Sequence, residues 1–188
     1  IYIDSDKSFI GGGEDNFIHD NSDESFIGGG DSNKIAEGSH LSTIVGGGSN
    51  QIYSGSYYSL IGGGFENRIS DTAFASTIVG GRENKAYADT DYATIVGGLQ
   101  NKIHDETDYG FIGAGILNQI SEDCDKSVIV GGHLNTNYSG SGKSFMGAGQ
   151  QNDIHTNTTY GFIGTGLLNQ IYDNSDYSVI VSGRENRI

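Results

Sequence analysis

Apolar positions along this chain alternate with polar ones over very short stretches. Ser42-Thr43-Ile44-Val45-Gly46 and Asn50-Gln51-Ile52 are two such stretches, separated by a glycine-rich corner. Period-two alternation places the isoleucines on one face of an extended segment, and β-branched residues suit strands. The pair recurs every 17 residues in eleven copies, from Ser8, Ser25 and Ser42 to Gly161 and Ser178, without insertion or deletion. One inward column reads Ile10, Ile27, Ile44, Ile61, Ile78, Ile95, Ile112, Ile129, Met146, Ile163 and Ile180. The other reads Ile18, Ile35, Ile52, Ile69, Ala86, Ile103, Ile120, Asn137, Ile154, Ile171 and Ile188. Polar returns such as His19-Asp20-Asn21-Ser22-Asp23-Glu24 separate the copies. Strict periods of this length define solenoids, in which each repeat packs on its neighbours. The pattern predicts an all-β chain, a parallel β-roll or β-helix solenoid of eleven 17-residue coils, forming one repetitive domain over residues 1–188. With strands about 4.8 Å apart the rod is about 50 Å long. Helix is disfavoured by glycines at every repeat.

Two columns never vary. One is glycine (Gly13, Gly30, Gly47, Gly64, Gly81 and onward to Gly183), the other asparagine (Asn16, Asn33, Asn50, Asn67, Asn84 and onward to Asn186). A position that refuses every side chain implies positive φ or a close backbone approach. Asparagine tolerates the left-handed region, and stacked asparagines form amide ladders. Gly-x-x-Asn therefore predicts a tight corner in each coil.

The residues flanking the first isoleucine point away from it, yet they are apolar and sort in pairs. Phe9, Phe26, Leu60, Phe111, Phe145 and Phe162 are each followed two positions later by glycine. Thr43, Thr77, Thr94, Val128 and Val179 are followed instead by Val45, Val79, Val96, Val130 and Val181. Volume compensation belongs to close-packed spaces, so this face is expected to be covered. Phe9, Phe26, Val45, Leu60, Val79, Val96, Phe111, Val130, Phe145, Phe162 and Val181 form the predicted subunit interface, and a valine at Gly62 beside Leu60 is expected to overfill it. Duplication of ancestral repeats in blocks is the competing origin of the pairing.

Composition sharpens the picture. The chain carries 31 glycines, no proline, no tryptophan and a net charge of −14. That sign opposes binding to phosphate backbones or anionic membrane surfaces. No apolar run approaches the ~20 residues of a membrane helix, so no direct membrane contact is expected from this segment. Ile1 and Ile188 occupy the same repeat position, so the chain reads as a window from a longer protein.

Repeats such as Ser42-Thr43-Ile44-Val45-Gly46-Gly47-Gly48-Ser49-Asn50 and Ser76-Thr77-Ile78-Val79-Gly80-Gly81-Arg82-Glu83-Asn84 resemble the head repeats of trimeric autotransporter adhesins, the YadA-like and UspA-like heads of Gram-negative bacteria. The resemblance covers the whole chain. It implies a left-handed β-roll, a homotrimer joined through the Phe/Gly–Thr/Val face, and display at the cell surface on a stalk anchored in the outer membrane. Extracellular protein or glycan ligands follow from it. The chain departs from the adhesin pattern in keeping isoleucine after the asparagine, where the heads more often carry the alanine seen at Ala86. Fibres of phage tails or extracellular filaments use comparable repeats. An ice-binding solenoid ranks lower, since only Thr43, Thr77 and Thr94 share an outer column.

Candidate chemistry is sparse, and no enzyme or catalytic residue is expected. Cys124 occupies a column of small residues with no histidine nearby in sequence. His19, His104 and His155 share a column with Tyr2, Tyr53, Tyr87, Tyr138 and Tyr172, several coils apart, and read as exposed rungs. The acidic returns Asp4-Ser5-Asp6, Asp20-Asn21-Ser22-Asp23, Asp89-Thr90-Asp91 and Asp123-Cys124-Asp125 are candidate Ca²⁺ ligands, although solvated turns are the simpler reading and no cofactor is otherwise expected. Tyr58, Tyr92, Tyr109, Tyr160 and Tyr177 predict a partial aromatic ladder able to contact glycans or proteins.

Overall fold

A computed structural model describes Ile1 and residues 5–188. Tyr2 and Asp4, placed above in the tyrosine–histidine column and an acidic return, lie outside the described residues. The described chain contains no helix and stacks about ten coils into a parallel β-solenoid. Each coil contributes one two-residue strand to each of two sheets. The first sheet has eleven strands, from Phe9–Ile10 to Val179–Ile180; the second has ten, from Phe17–Ile18 to Gln170–Ile171. The eleventh copy therefore falls short of a full coil. Its second strand is reduced to the single bridge Gln170–Arg187.

Every strand pairs with the residue 17 positions away, as in Ile27 with Ile44 and Ile35 with Ile52. A third row of single bridges runs through the corners, from Glu14 and Asp31 to Leu167 and Arg184. The two isoleucine columns face each other and form the core, almost all at 0% exposure. Identical β-branched side chains stacked at one-coil spacing fill this thin interior without rotamer conflict.

The corner is built as its two invariant residues require. Gly98 has φ +90°, and a Cβ there would collide with the carbonyl oxygen of Gly115 in the next coil. Positive φ and close backbone approach thus act together. The left-handed residue beside the asparagine is its predecessor, such as Ser49 (φ 54°) or Leu117 (φ 57°), and not the asparagine itself. The asparagine turns inward instead. Asn50 Nδ2 donates to Gly46 O (3.1 Å) in its own coil and to Gly64 O (3.0 Å) in the next. Its Oδ1 accepts the backbone N–H of Asn67 at 3.0 Å. One side chain therefore satisfies three buried or part-buried backbone groups per coil, which accounts for its invariance.

Hydroxyl columns line the rest of the interior. Ser22 Oγ donates to Ala36 O (2.8 Å), and Ser25 Oγ donates to Ser39 O (2.9 Å) and accepts the N–H of Ser42 (3.3 Å). Here volume is compensated inside the coil. Where Thr107 and Thr158 replace serine, the residue three positions on is Gly110 or Gly161. A Cβ at Gly110 would lie 3.1 Å from Thr107 Cγ2 and 3.0 Å from Ile103 Cγ2.

Candidate interaction surfaces

Three outward surfaces follow one another around each coil. The first is the apolar row on the eleven-stranded sheet. Phe9 is 56% exposed, Val45 53%, Val79 51% and Val181 71%, and the row runs the length of the rod. Val96, Val130, Phe26 and Phe145 are exposed and Leu60, Phe111 and Phe162 half-buried along the same line. Phe9 stacks on Phe26 with ring centroids 5.7 Å apart, and Phe145 on Phe162 at 5.3 Å.

The pairing of large residues with glycine has a cause within the chain. A Cβ at Gly28 would meet the carbonyl oxygen of Val45, one at Gly62 that of Val79, and one at Gly113 that of Val130. The aromatic ring folds over the same glycine: Phe26 Cε1 lies 3.2 Å, and Phe162 Cε1 3.3 Å, from a Cβ built at Gly28 or Gly164. The pairing therefore does not require a covering partner. A valine at Gly62 would strike the adjacent coil's backbone before it reached any second chain. What remains is the exposure of the row itself; long contiguous apolar strips are a common mark of interaction sites.

The second surface lies on the ten-stranded sheet. Its outward positions include Lys34, Arg68, Lys85 and Lys102, with tyrosines and histidines beside them. Tyr87 and His104 stack at 4.6 Å, and Tyr138 and His155 at 5.0 Å. All three histidines of the column are consequently half-buried, not exposed rungs; a ring in the adjacent coil covers His104 and His155, and Phe17 of its own coil lies beside His19. The Nε2 atoms of His104 and His155 are buried without a hydrogen-bond partner. Burial holds the His104 imidazole below its ordinary value of 6.5, helped by the nearby Lys102. The native state thus binds fewer protons than the unfolded chain just below that value. Stability contributed by neutral His104 is present above pH 6.5 and falls as the pH drops through 6.5 toward the lower folded-state value. We expect His104→Tyr, which copies Tyr87 and Tyr138, to melt with a smaller loss between pH 7.5 and 5.5 than the parent. An equal loss in both proteins would assign the acid sensitivity elsewhere, for instance to His19, which burial also lowers.

The third surface is the acidic return. Its carboxylates are used by the fold. Asp91 Oδ1 accepts the backbone N–H of Phe74 (2.9 Å), Asp108 that of Asp91 (3.0 Å) and Asp125 that of Asp108 (2.9 Å). Each carboxylate caps the preceding coil. Thr72, Asp89, Asp91, Glu106, Asp108 and Asp125 line a shallow groove, but no group of three or more His, Cys, Asp or Glu among the described residues converges as metal ligands would. Beside these acids runs the aromatic ladder. Tyr92 stacks on Tyr109 at 5.0 Å and Tyr160 on Tyr177 at 4.9 Å. Phe74, from the neighbouring column, bridges Tyr58 and Tyr92 edge-on, at 5.4 and 5.5 Å. Lys126 and Lys143 lie over the rings of Tyr109 and Tyr160. Cys124 is buried, its Sγ donating to Tyr138 O at 3.0 Å, and burial pushes its thiol up to about 12. It carries no thiolate at neutral pH.

Sequence reasoning missed the hydroxyl columns, the carboxylate caps and the part of Phe74. For the caps the available signal was aspartate recurring at one repeat position in consecutive copies. The structure defines the molecule as a parallel β-solenoid with an apolar, a mixed cationic–aromatic and an acidic–aromatic surface. No protein-family model matches the chain, and no curated protein matches it significantly.

Proposed function

We propose that this chain is a non-enzymatic structural and binding module, a homotrimeric β-solenoid that presents a repetitive surface to protein or glycan ligands outside the cell. This is the role of the cell-surface adhesin heads that its repeats resemble. The observation that carries the reading is the apolar row of Phe9, Val45, Val79 and their equivalents, exposed on a single chain along the whole rod. Burying such a row against two further copies gains about 25 cal/mol for each Å² removed from water, and identical rows at identical coil spacing are self-complementary when copies lie parallel. The tyrosine ladder then faces outward as the display surface.

Introducing charge on the row tests this directly. The double variant Val79→Lys, Val96→Lys is expected to dissociate the assembly to single chains of 19.9 kDa while its circular dichroism stays unchanged. An assembly that resists both lysines would place the interface elsewhere. A second reading, a fibre segment that sets length and stiffness, is favoured by one observation: the acidic carboxylates and the stacked rings all make their contacts along the rod axis.

A further inference from the structure

We infer that the rod contains a built-in opening point in the coil of residues 137–146, which divides it into two cooperative blocks. Four departures from the repeat converge there. Asn137 occupies the inward isoleucine column between Ile120 and Ile154, at 1% exposure. Its Nδ2 donates to Ser141 O at 3.0 Å, but its Oδ1 is buried without a partner. Across the core, Met146 replaces the isoleucine of the facing column, between Ile129 and Ile163. A flexible thioether side chain specifies packing less tightly than a β-branched one. The return joining them, Tyr138-Ser139-Gly140-Ser141-Gly142-Lys143, holds two glycines, which lose the most chain entropy on folding. Finally, the run of aspartate caps from Asp91 to Asp125 stops: Gly142, like Tyr57 and Phe74 in earlier coils, offers no carboxylate, and here nothing among the described residues caps the N–H of Asp125 beside the altered core. Capping resumes at Asp176, which accepts the N–H of Thr159 at 2.7 Å.

In a solenoid each coil is held mainly by its two neighbours. Loss of core, cap and chain stiffness in one coil therefore lowers the cost of parting the stack at that level, without unfolding either side. Among the described residues the inward columns offer no equivalent: Ala86, the other departure in the same column, leaves no unsatisfied polar atom. Opening at residues 137–146 separates the longer N-terminal stack from the C-terminal one. It exposes the edges of the coils on either side.

Native-state hydrogen exchange of the full chain, read by mass spectrometry, tests the inference. The diagnostic amides are those bonded to or from this coil: Ser121 N–H to Asn137 O, Val130 N–H to Met146 O and Tyr138 N–H to Ile154 O. Their counterparts in intact coils are Tyr53 N–H to Ile69 O and Val45 N–H to Ile61 O. An unsatisfied buried acceptor corresponds to about a tenfold to hundredfold change in the opening equilibrium, so the diagnostic amides should exchange at least about tenfold faster than the counterparts. Asn137→Ile, which restores the column, should bring the two sets together. Equal protection in the parent protein would overturn the inference, as would faster exchange that Asn137→Ile leaves unchanged.

Discussion

Gly98→Ala is expected to destabilise the chain by about 2–5 kcal/mol, the sum of a left-handed backbone cost and an overpacking cost. The residue sits at φ +90°, outside the ordinary range of a side-chain-bearing residue. A methyl group there would press on the carbonyl oxygen of Gly115 and lie 2.7 Å from its amide nitrogen and from Asn101 Nδ2. The oxygen and the Asn101 amide are anchored by inter-coil hydrogen bonds, so neither yields cheaply. Leu99 N–H donates to Gly115 O at 2.9 Å and Asn101 Nδ2 donates to the same oxygen at 2.9 Å. Urea unfolding of the variant beside the parent gives the difference. A loss below about 1 kcal/mol would mean that the corner relaxes, and that close approach is not what keeps the column free of side chains.

Asn101→Ala should be of similar severity for a different reason. The alanine fits the space but abandons Gly97 O (2.8 Å), Gly115 O (2.9 Å) and the N–H of Asn118 (3.0 Å). Gly115 O keeps the N–H of Leu99, so two groups lose a bond with no substitute named in the fold. At about 1–3 kcal/mol for each orphaned group, the expected loss is about 2–6 kcal/mol in the same unfolding measurement. A near-neutral result would show that the asparagine column is dispensable one rung at a time. Asn101→Asp serves as the companion variant. It keeps an acceptor for Asn118 while losing both donors and burying a charge, so it should be at least as damaging as alanine.

The parts of the fold that were legible in the sequence are those where chemistry leaves no alternative. Ile44 and Ile52 announce a core because alternation and β-branching point the same way, and Gly47 and Asn50 announce a corner because nothing else satisfies that backbone. The serine columns were illegible as interior because Ser22 and Ser25 sit in a polar return that reads as solvated. Only stacking at one-coil spacing shows that each hydroxyl reaches a carbonyl of the next coil. Left-handed residues were hidden for a related reason. Leu117 and Tyr109 take φ of 57° and 56° in columns of mixed side chains that give no warning, whereas Asp123 (φ 56°) shares a column with Asn21, Gly38, Gly55, Gly140, Asn157 and Asn174, residue types that do favour the left-handed region. Such strain, about 1–2 kcal/mol per residue, persists because hydrogen bonds on both sides hold the turn: Leu117 N–H donates to Leu99 O at 2.9 Å and Tyr109 N–H to Asp91 O at 2.9 Å.

The candidate surfaces show the same division. The apolar row of Phe26 and Val45 was visible from its composition. The reason glycine accompanies phenylalanine was not, because it depends on a carbonyl in the adjacent coil. The acidic returns suggested ligands for a cation; what the structure shows of Asp108 and Asp125 is that they cap backbone amides, a use that requires the neighbouring coil to be in place. In a repeat protein the partner of a residue is often its own equivalent one period away, and single-copy motif reasoning overlooks it.

The self-association of the apolar row is tested most directly by the mass of the intact chain in solution, measured by sedimentation equilibrium at several concentrations in buffer of physiological ionic strength. The exposed row of Phe9, Val45, Val79 and Val181 predicts a particle of three times the 19.9 kDa chain mass, persisting on dilution. A single species at 19.9 kDa across the whole concentration range would contradict it, and would leave the solenoid as a monomeric rod with its apolar face in water.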